Sequence, residues 1–302
     1  MLLPIYMNSQ TKKPNPKSVS VSKSLKSNNP VAIQGHKGSF HEIAAKEFFG
    51  ESVKVIPCKN FRELLKVTSS KKESISGLIA VENSLTGSIL PNFILLEKSN
   101  LKIIGEIYLK IEQHLMIYTG TNIENIREIH SHTMALSQCS DYLEKSNWKL
   151  VETEDTGLSA KNISKKYSMH IGVIGSKSAA ELYDLEIVAS NIHNENNNFT
   201  RFFVLQSGDK KSNIIDADKA SINFKINHTK GSLAKVLSTI SNNGVNLSKI
   251  QSLLSSNSEG KHSFIADLEF KNLEQFNKAI KAITTLTDEI KIYGVYKNGS
   301  KK

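Results

Sequence analysis

The sequence predicts an α/β protein of two units, a larger alternating domain followed by a small α+β module. Three observations carry this expectation. From Val31 to about residue 206, short apolar runs alternate with stretches of helical periodicity. A polar, turn-prone stretch, "SGDKKSNIIDADK", then interrupts the rhythm. Beyond it the pattern becomes strand, helix, strand, strand, helix, strand, a small ferredoxin-like order. The 302 residues are enough for two domains.

Within the larger unit, "VAIQG" reads as a strand and "SFHEIAAKEFFG" as a helix, with Ser39 and Glu42 at capping-box spacing and Gly50 as its stop. "VKVIP" is the next strand, and "NFRELLKVTSS" the next helix, with Asn60 and Glu63 spaced as a second capping box. "GLIAVEN" is a third strand. The series continues through "LKIIGEIYL", "EQHLMIY", "REIHSH", a helix near 134 to 145, "WKLVE", a helix near 156 to 167, "MHIGVI" and a helix near 177 to 183. It ends in "NNNFTRFFVL", whose continuous apolar run predicts a strand buried on both faces. Repeated strand-helix order predicts a parallel sheet with helices on its faces.

In the second unit, Ala220, Ile222, Phe224 and Ile226 alternate as on a half-exposed strand, and Leu233, Val236, Leu237 and Ile240 form a helical stripe. A strand near 246 to 254, a turn at "NSEGK", a strand with Phe264, Ala266, Leu268 and Phe270, a helix carrying Leu273, Phe276 and Ile280, and a strand near 289 to 296 complete it. The boundaries expected are a tail at 1–30, a first domain at 31–207, a linker at 208–218 and a second domain at 219–297.

The net charge of +10 suggests nucleic acid, but its distribution argues against it. Lys12, Lys13, Lys17, Lys23 and Lys26 supply half of the excess from a tail that holds no acid. That tail is rich in Ser, Asn, Lys and Pro, which predicts disorder, and it lacks the apolar stretch of a secretory signal. Met7 is an alternative start. No stretch is apolar enough for a membrane span. Cys58 and Cys139 are too few for a disulfide framework, so a cytoplasmic protein is expected.

In an open α/β sheet, ligands gather at strand carboxyl ends and helix N-termini. Three such ends carry polar clusters: "GHKGS" with Ser39, "ENS" with Glu82, Asn83 and Ser84, and "SHTMALSQC" with Ser131 and Gln138. Alone, the first reads as an ordinary turn, the second as a helix cap, and the Thr200-Arg201 pair as a strand-end ion pair. His130 and His132 share a strand face without a third ligand nearby, a poor basis for zinc. Nucleophile elbow, P-loop and Rossmann fingerprints are absent. What remains is a set of neutral donors with one guanidinium, suited to holding a polyanionic small molecule rather than to covalent hydrolysis.

Together these segments resemble prephenate dehydratases. "GHKGSFHEIAA" is similar to that family's G-P-x-G-T-F-S motif, "IAVENSLTGSI" to P-I-E-N-S-x-x-G, and "IIGEIYLKIEQHLM" to I-x-G-E-x-x-L-x-I-x-H-x-L. "SHTMALSQC" resembles S-H-P-x-A-L-x-Q-C, "EDTGLSAKNI" the D-T-A-x-x-A-K stretch, and "NNFTRFFVL" the N-x-T-R-F signature. His36, His41, Thr133 and Asn194 depart from the family pattern, with His41 standing where serine is usual. The second unit resembles an ACT amino-acid-sensing module, with "HTKGSLAKVL" and "GVNLSKIQSLL" as the matching stretches. There Gln251, Ser252, Leu253 and Leu254 stand in place of E-S-R-P.

The resemblance implies a two-lobed catalytic domain like that of periplasmic binding proteins. It implies conversion of prephenate to phenylpyruvate without a cofactor. It places catalysis on Thr200, Asn83, Gln138 and Ser131, and substrate binding on Ser39, Glu82, Ser84, Arg201 and Phe202. It further implies an L-phenylalanine effector bound near Gly231, Leu233, Asn246 and Ser252, and a homodimer or homotetramer. For Arg201 two roles stand, neutralising a substrate carboxylate or fixing Glu82. Two rival readings are an arogenate dehydratase and a non-catalytic sensor of amino acids or keto acids.

Overall fold

The computed structural model describes residues 30–70, 76–207, 216–253 and 261–299. The expected disordered tail, most of the linker and most of the "NSEGK" turn lie outside them. Elements follow in chain order: β1 (Val31–Gln34), α1 (Phe40–Phe49), β2 (Val55–Cys58), α2 (Phe61–Ser69), β3 (Ser76–Asn83), β4 (Gly87–Ser88), α3 (Leu90–Glu97) and β5 (Leu101–Lys110) form the first part. Then come β6 (His114–Tyr118), β7 (Glu128–His132), α4 (Thr133–Gln138), α5 (Ser140–Leu143), β8 (Lys149–Thr153), α6 (Thr156–Lys166), β9 (Ile171–Gly175), α7 (Lys177–Tyr183) and β10 (Leu185–Ala189). Last are β11 (Phe199–Ser207), β12 (Lys219–Asn227), α8 (Ser232–Asn242), β13 (Asn246–Leu253), β14 (Lys261–Glu269), α9 (Leu273–Thr284) and β15 (Glu289–Tyr296).

The alternating region makes two sheets, hence two lobes. Lobe 1 has the order β2-β1-β3-β11-β5, with β4 added to β3, and lobe 2 the order β10-β6-β9-β7-β8. Both are mixed rather than parallel: β1, β2 and β3 run together, but β11 lies antiparallel between β3 and β5. The reason is that the chain crosses between lobes twice, once after β5 and once after β10, so β11 re-enters lobe 1 from the far side. The two crossings bond to each other, Ile111 N–H donating to Asn198 O at 2.8 Å and Ile192 N–H to Gln113 O at 2.9 Å.

Local signals produce the elements largely as expected. Ser39 Oγ accepts from Glu42 N–H at 3.4 Å, and Asn60 Oδ1 from Glu63 N–H at 3.0 Å. In both caps the returning glutamate reaches one residue further back, Glu42 to Gly38 N–H and Glu63 to Lys59 N–H. The helix expected near 134 to 145 is broken at Cys139 into α4 and α5. Neither α3 nor β10 is expected from the sequence: α3 lacks a side-chain cap, and β10 is a short run at the sheet edge that, among the described residues, pairs with β6 alone.

The last six elements form the expected strand-helix-strand-strand-helix-strand unit, with sheet order β13-β14-β12-β15. Helices α8 and α9 cover one face, closing a core around Ile222, Phe224, Val236, Ile240 and Phe276. The expectation of a half-exposed β12 is corrected, because Lys219, Ser221 and Asn223 on its second face are buried too. That face packs on lobe 1, where Ile265, Tyr293 and Tyr296 join Phe93, Leu96 and Phe203 in one cluster.

Candidate active site

A cleft of about 450 Å³ lies between the lobes. Ser39, Asn83, Thr200 and Phe202 reach it from lobe 1, Gln138 from lobe 2 and Gln113 from the first crossing. A more open groove of about 790 Å³ lies elsewhere, lined by Arg62, Lys66, Lys98, Lys102 and Lys291, and borders none of the expected site residues.

The centre of the cleft is set by a register match. Thr200 of β11 pairs with Asn83 of β3, and their side chains emerge on the same face. Asn83 Nδ2 donates to Thr200 Oγ1 at 3.1 Å and to Asn198 Oδ1 at 2.7 Å. Its Oδ1 accepts from Leu85 N–H at 3.0 Å and Thr86 N–H at 3.3 Å, which fixes the amide orientation. The Thr200 oxygen is therefore engaged as an acceptor, and its hydroxyl hydrogen is free to point at a ligand. Across the cleft, Gln138 Oε1 accepts from Gln113 Nε2 at 3.4 Å.

Four expected site residues lie outside this cleft. Arg201 and Glu82 are register partners one step from Thr200 and Asn83, so alternation turns them to the opposite face. There Arg201 is 2% exposed and bonds Glu106 Oε2 at 2.7 Å, Tyr296 OH at 3.2 Å and Asp267, while Glu82 lies 3.4 Å away and pairs with Lys249 at 3.1 Å. Burial disfavours charge on Arg201, but Asp267, Tyr296 and Glu106 outweigh it and hold the guanidinium pKa above its usual value. The strand-end ion pair is thus the role the structure gives it. Ser131 is fully buried in lobe 2, donating to Ile174 O at 2.7 Å. Ser84 donates to Asn197 O at 2.7 Å and accepts from Phe199 N–H at 2.9 Å, stapling the return of β11.

Two residues that residue-by-residue reading did not single out complete the site. Asn198 fixes Asn83 and was visible as the first letter of N-x-T-R-F. Asp155, in the "EDTG" stretch, caps α6 and joins the lobes: its Oδ1 accepts from Gly157 N–H and from Leu158 N–H at 3.1 Å, and its Oδ2 from His36 N–H at 2.7 Å. Gly35 is needed there, because its φ is 91° and a Cβ would stand 2.0 Å from Asp155 Oδ2. Ser176 Oγ donates to Gly38 O at 2.6 Å and Tyr183 OH to Lys37 O at 3.0 Å, so lobe 2 grips the whole "GHKGS" turn.

The histidines have separate duties. His130 Nε2 bonds Glu128 at 2.9 Å, and His132 Nδ1 accepts from Met134 N–H at 3.2 Å at the head of α4. Burial pushes the Cys139 thiol up to about 12, so it is no nucleophile near neutrality. In the C-terminal sheet the four expected effector residues do not converge. Gly231 follows the end of β12, whereas Asn246 pairs with Glu269, the partner of Lys219 at the start of that nine-residue strand.

Comparison with known proteins gives the family and the fold. The profile of the prephenate dehydratase family matches residues 31–210. The chain is 34% identical over 281 residues to a bifunctional chorismate mutase/prephenate dehydratase of Aquifex aeolicus, covering 92% of this chain and 76% of that one. It is 30% identical to the prephenate dehydratase of Methanocaldococcus jannaschii, covering 89% and 98%. Among solved structures, a protein described as a novel type of quorum quenching acylase superposes with a TM-score of 0.80 at 24% identity, covering 89% and 98%. A prephenate dehydratase from Arthrobacter aurescens in complex with L-Phe superposes at 0.79 and 22% identity, covering 89% and 90%. At these identities the structures share the fold, and the family assignment rests on the sequence matches.

Proposed function

The chain belongs to the prephenate dehydratase family, and on that premise we propose how its cleft performs the reaction. The enzyme converts prephenate to phenylpyruvate: the C1–carboxylate bond breaks, its electron pair enters the ring, and the C4–O bond breaks to release the hydroxyl. With one proton taken up, the products are phenylpyruvate, carbon dioxide and water. Aromatisation drives the step, so the protein must orient the ring and meet the charge that develops on the departing oxygen.

Thr200 is the donor to that oxygen. The observation that carries the reading is the bond from Asn83 Nδ2 to Thr200 Oγ1, which makes the threonine oxygen an acceptor and leaves its hydrogen for a ligand in the cleft. Asn83 is thereby a positioning residue. Gln138 faces the substrate from lobe 2, Phe202 packs on its ring, and Ser39 at the head of α1 lies where the helix dipole favours a carboxylate. Replacing Thr200 by Ala is expected to lower kcat about 10²- to 10³-fold with an unchanged melting temperature, and Thr200→Ser to keep most of the rate. Phenylpyruvate formation at normal speed in Thr200→Ala would remove the assignment. The same assay run with arogenate reads the enzyme's choice between the two substrates.

We take residues 31–207 as the catalytic domain and 219–297 as an ACT module that senses L-phenylalanine. The order β12-α8-β13-β14-α9-β15 supports this. Because Gly231 and Leu233 lie at one end of the sheet and Asn246 at the other, an effector site using them all requires a second copy of the chain. A homo-oligomer in the cytoplasm follows as the working form. Among the described residues, no helix is long and apolar enough to cross a membrane.

A further inference from the structure

We propose that His41 is a specificity-determining residue of the cleft, whose Nε2 hydrogen-bonds a carboxylate of the bound substrate. This rests on the reading of the cleft given above and extends it to the anionic pole of the ligand.

The argument begins with charge. Among the described residues no lysine or arginine lines the cleft, whereas Glu154 and Asp155 do. A dicarboxylate must therefore be met by neutral donors, helix N-termini or imidazoles. The imidazoles are His41 and His132; His132 accepts from Met134 N–H with Nδ1 in an exposed hydrogen bond, where water can meet its Nε2–H. His41 Nε2 is buried and has no hydrogen-bond partner. A buried polar atom left unpaired is destabilising, and a ligand in the cleft can relieve that cost. Gln113 Oε1, also buried and unpartnered, is an acceptor and cannot serve a carboxylate.

Position supports the same conclusion. His41 is the second residue of the ten-residue α1, beside its N-terminal N–H groups. Its ring stands edge-on to Phe202 with centroids 4.9 Å apart and lies 5.7 Å from Phe61, so it is held rather than swinging. Phe202 and Thr200 are two residues apart on one strand face, about 6.6 Å by strand geometry. That is roughly the reach of a six-membered ring with substituents at both ends. A ligand that gives its ring hydroxyl to Thr200 thus brings its opposite, carboxylate-bearing pole toward His41.

His41→Phe keeps the ring packing and removes the donor. The expected result is a KM for prephenate raised about tenfold or more, a kcat within about threefold of normal, and a melting temperature equal or higher. His41→Gln, which retains a donor, should recover part of the KM. In the unaltered enzyme with ¹⁵N-labelled histidine, the His41 Nε2 resonance, identified by its absence in His41→Gln, should move when phenylpyruvate saturates the cleft. A normal KM in His41→Phe, or an Nε2 resonance indifferent to phenylpyruvate, would overturn the proposal. An unaltered enzyme that makes no phenylpyruvate would instead overturn the functional reading beneath it.

Discussion

Thr200 and Arg201 are neighbours in sequence and work on opposite sides of one sheet. Alternation along β11 sends Thr200 and Phe202 to the cleft, and Arg201 and Phe203 to the face covered by the C-terminal sheet. Arg201 sits among Glu106, Asp267 and Tyr296, and Lys219 adds a second cation at 2.9 Å from Glu106. Removing Arg201 takes the cation from Asp267 and leaves Glu106 with Lys219 alone, in low dielectric. Arg201→Met is expected to cost about 3–5 kcal/mol of stability, measured by urea unfolding. The fraction that stays folded at low temperature should keep a near-normal KM, because the guanidinium does not reach the cleft. A KM that collapses in well-folded Arg201→Met would return the residue to substrate binding.

At the scale of elements, α1 and β11 build the site together. The Ser39 cap sets where α1 starts, and with it the placement of His41 against Phe202. Burial there lowers the His41 pKa from 6.5 to about 3, with the field of His132 adding to the effect. The unfolded chain takes its proton near 6.5, and the folded one does not until far lower pH. Stability is therefore whole above about pH 6.5 and falls as the solution is acidified from there toward 3. In His41→Phe this component is absent. The melting temperatures of the two proteins should keep a constant difference above pH 6.5 and diverge in favour of the variant down to pH 5. Parallel curves across that range would show that His41 titrates normally.

The whole molecule is two lobes gripped at the "GHKGS" turn, with a third sheet fastened to lobe 1. The apolar cluster shared by Phe93, Leu96, Phe203, Ile265, Tyr293 and Tyr296, and the ions around Arg201, make that third sheet part of lobe 1's packing. A chain ending at Ser207 would expose this face and strand Arg201 and Glu106 without Asp267 and Lys219. Such a truncation is expected to be insoluble or to lack a cooperative melt. A soluble fragment melting as sharply as the intact chain would show that the two lobes stand alone. The same junction places the strand that carries Thr200 in direct contact with the C-terminal unit.

By itself the amino-acid order determined the α/β class, the C-terminal strand and helix order and the two helix caps, and its motifs singled out Thr200, Asn83, Gln138, Ser39 and Phe202, which line one cleft. These are carried by local periodicity, capping chemistry and short motifs, all of which act within a few residues. Tertiary structure alone decided that Glu82, Ser84, Ser131 and Arg201 stand outside the cleft, that β12 is buried on both faces and that the sheets are mixed. It also decided that Asp155 ties one lobe to the other. Each of these depends on which face of a strand meets which distant element. Alternation says that neighbours point apart, but only the assembled sheets say what each of them meets.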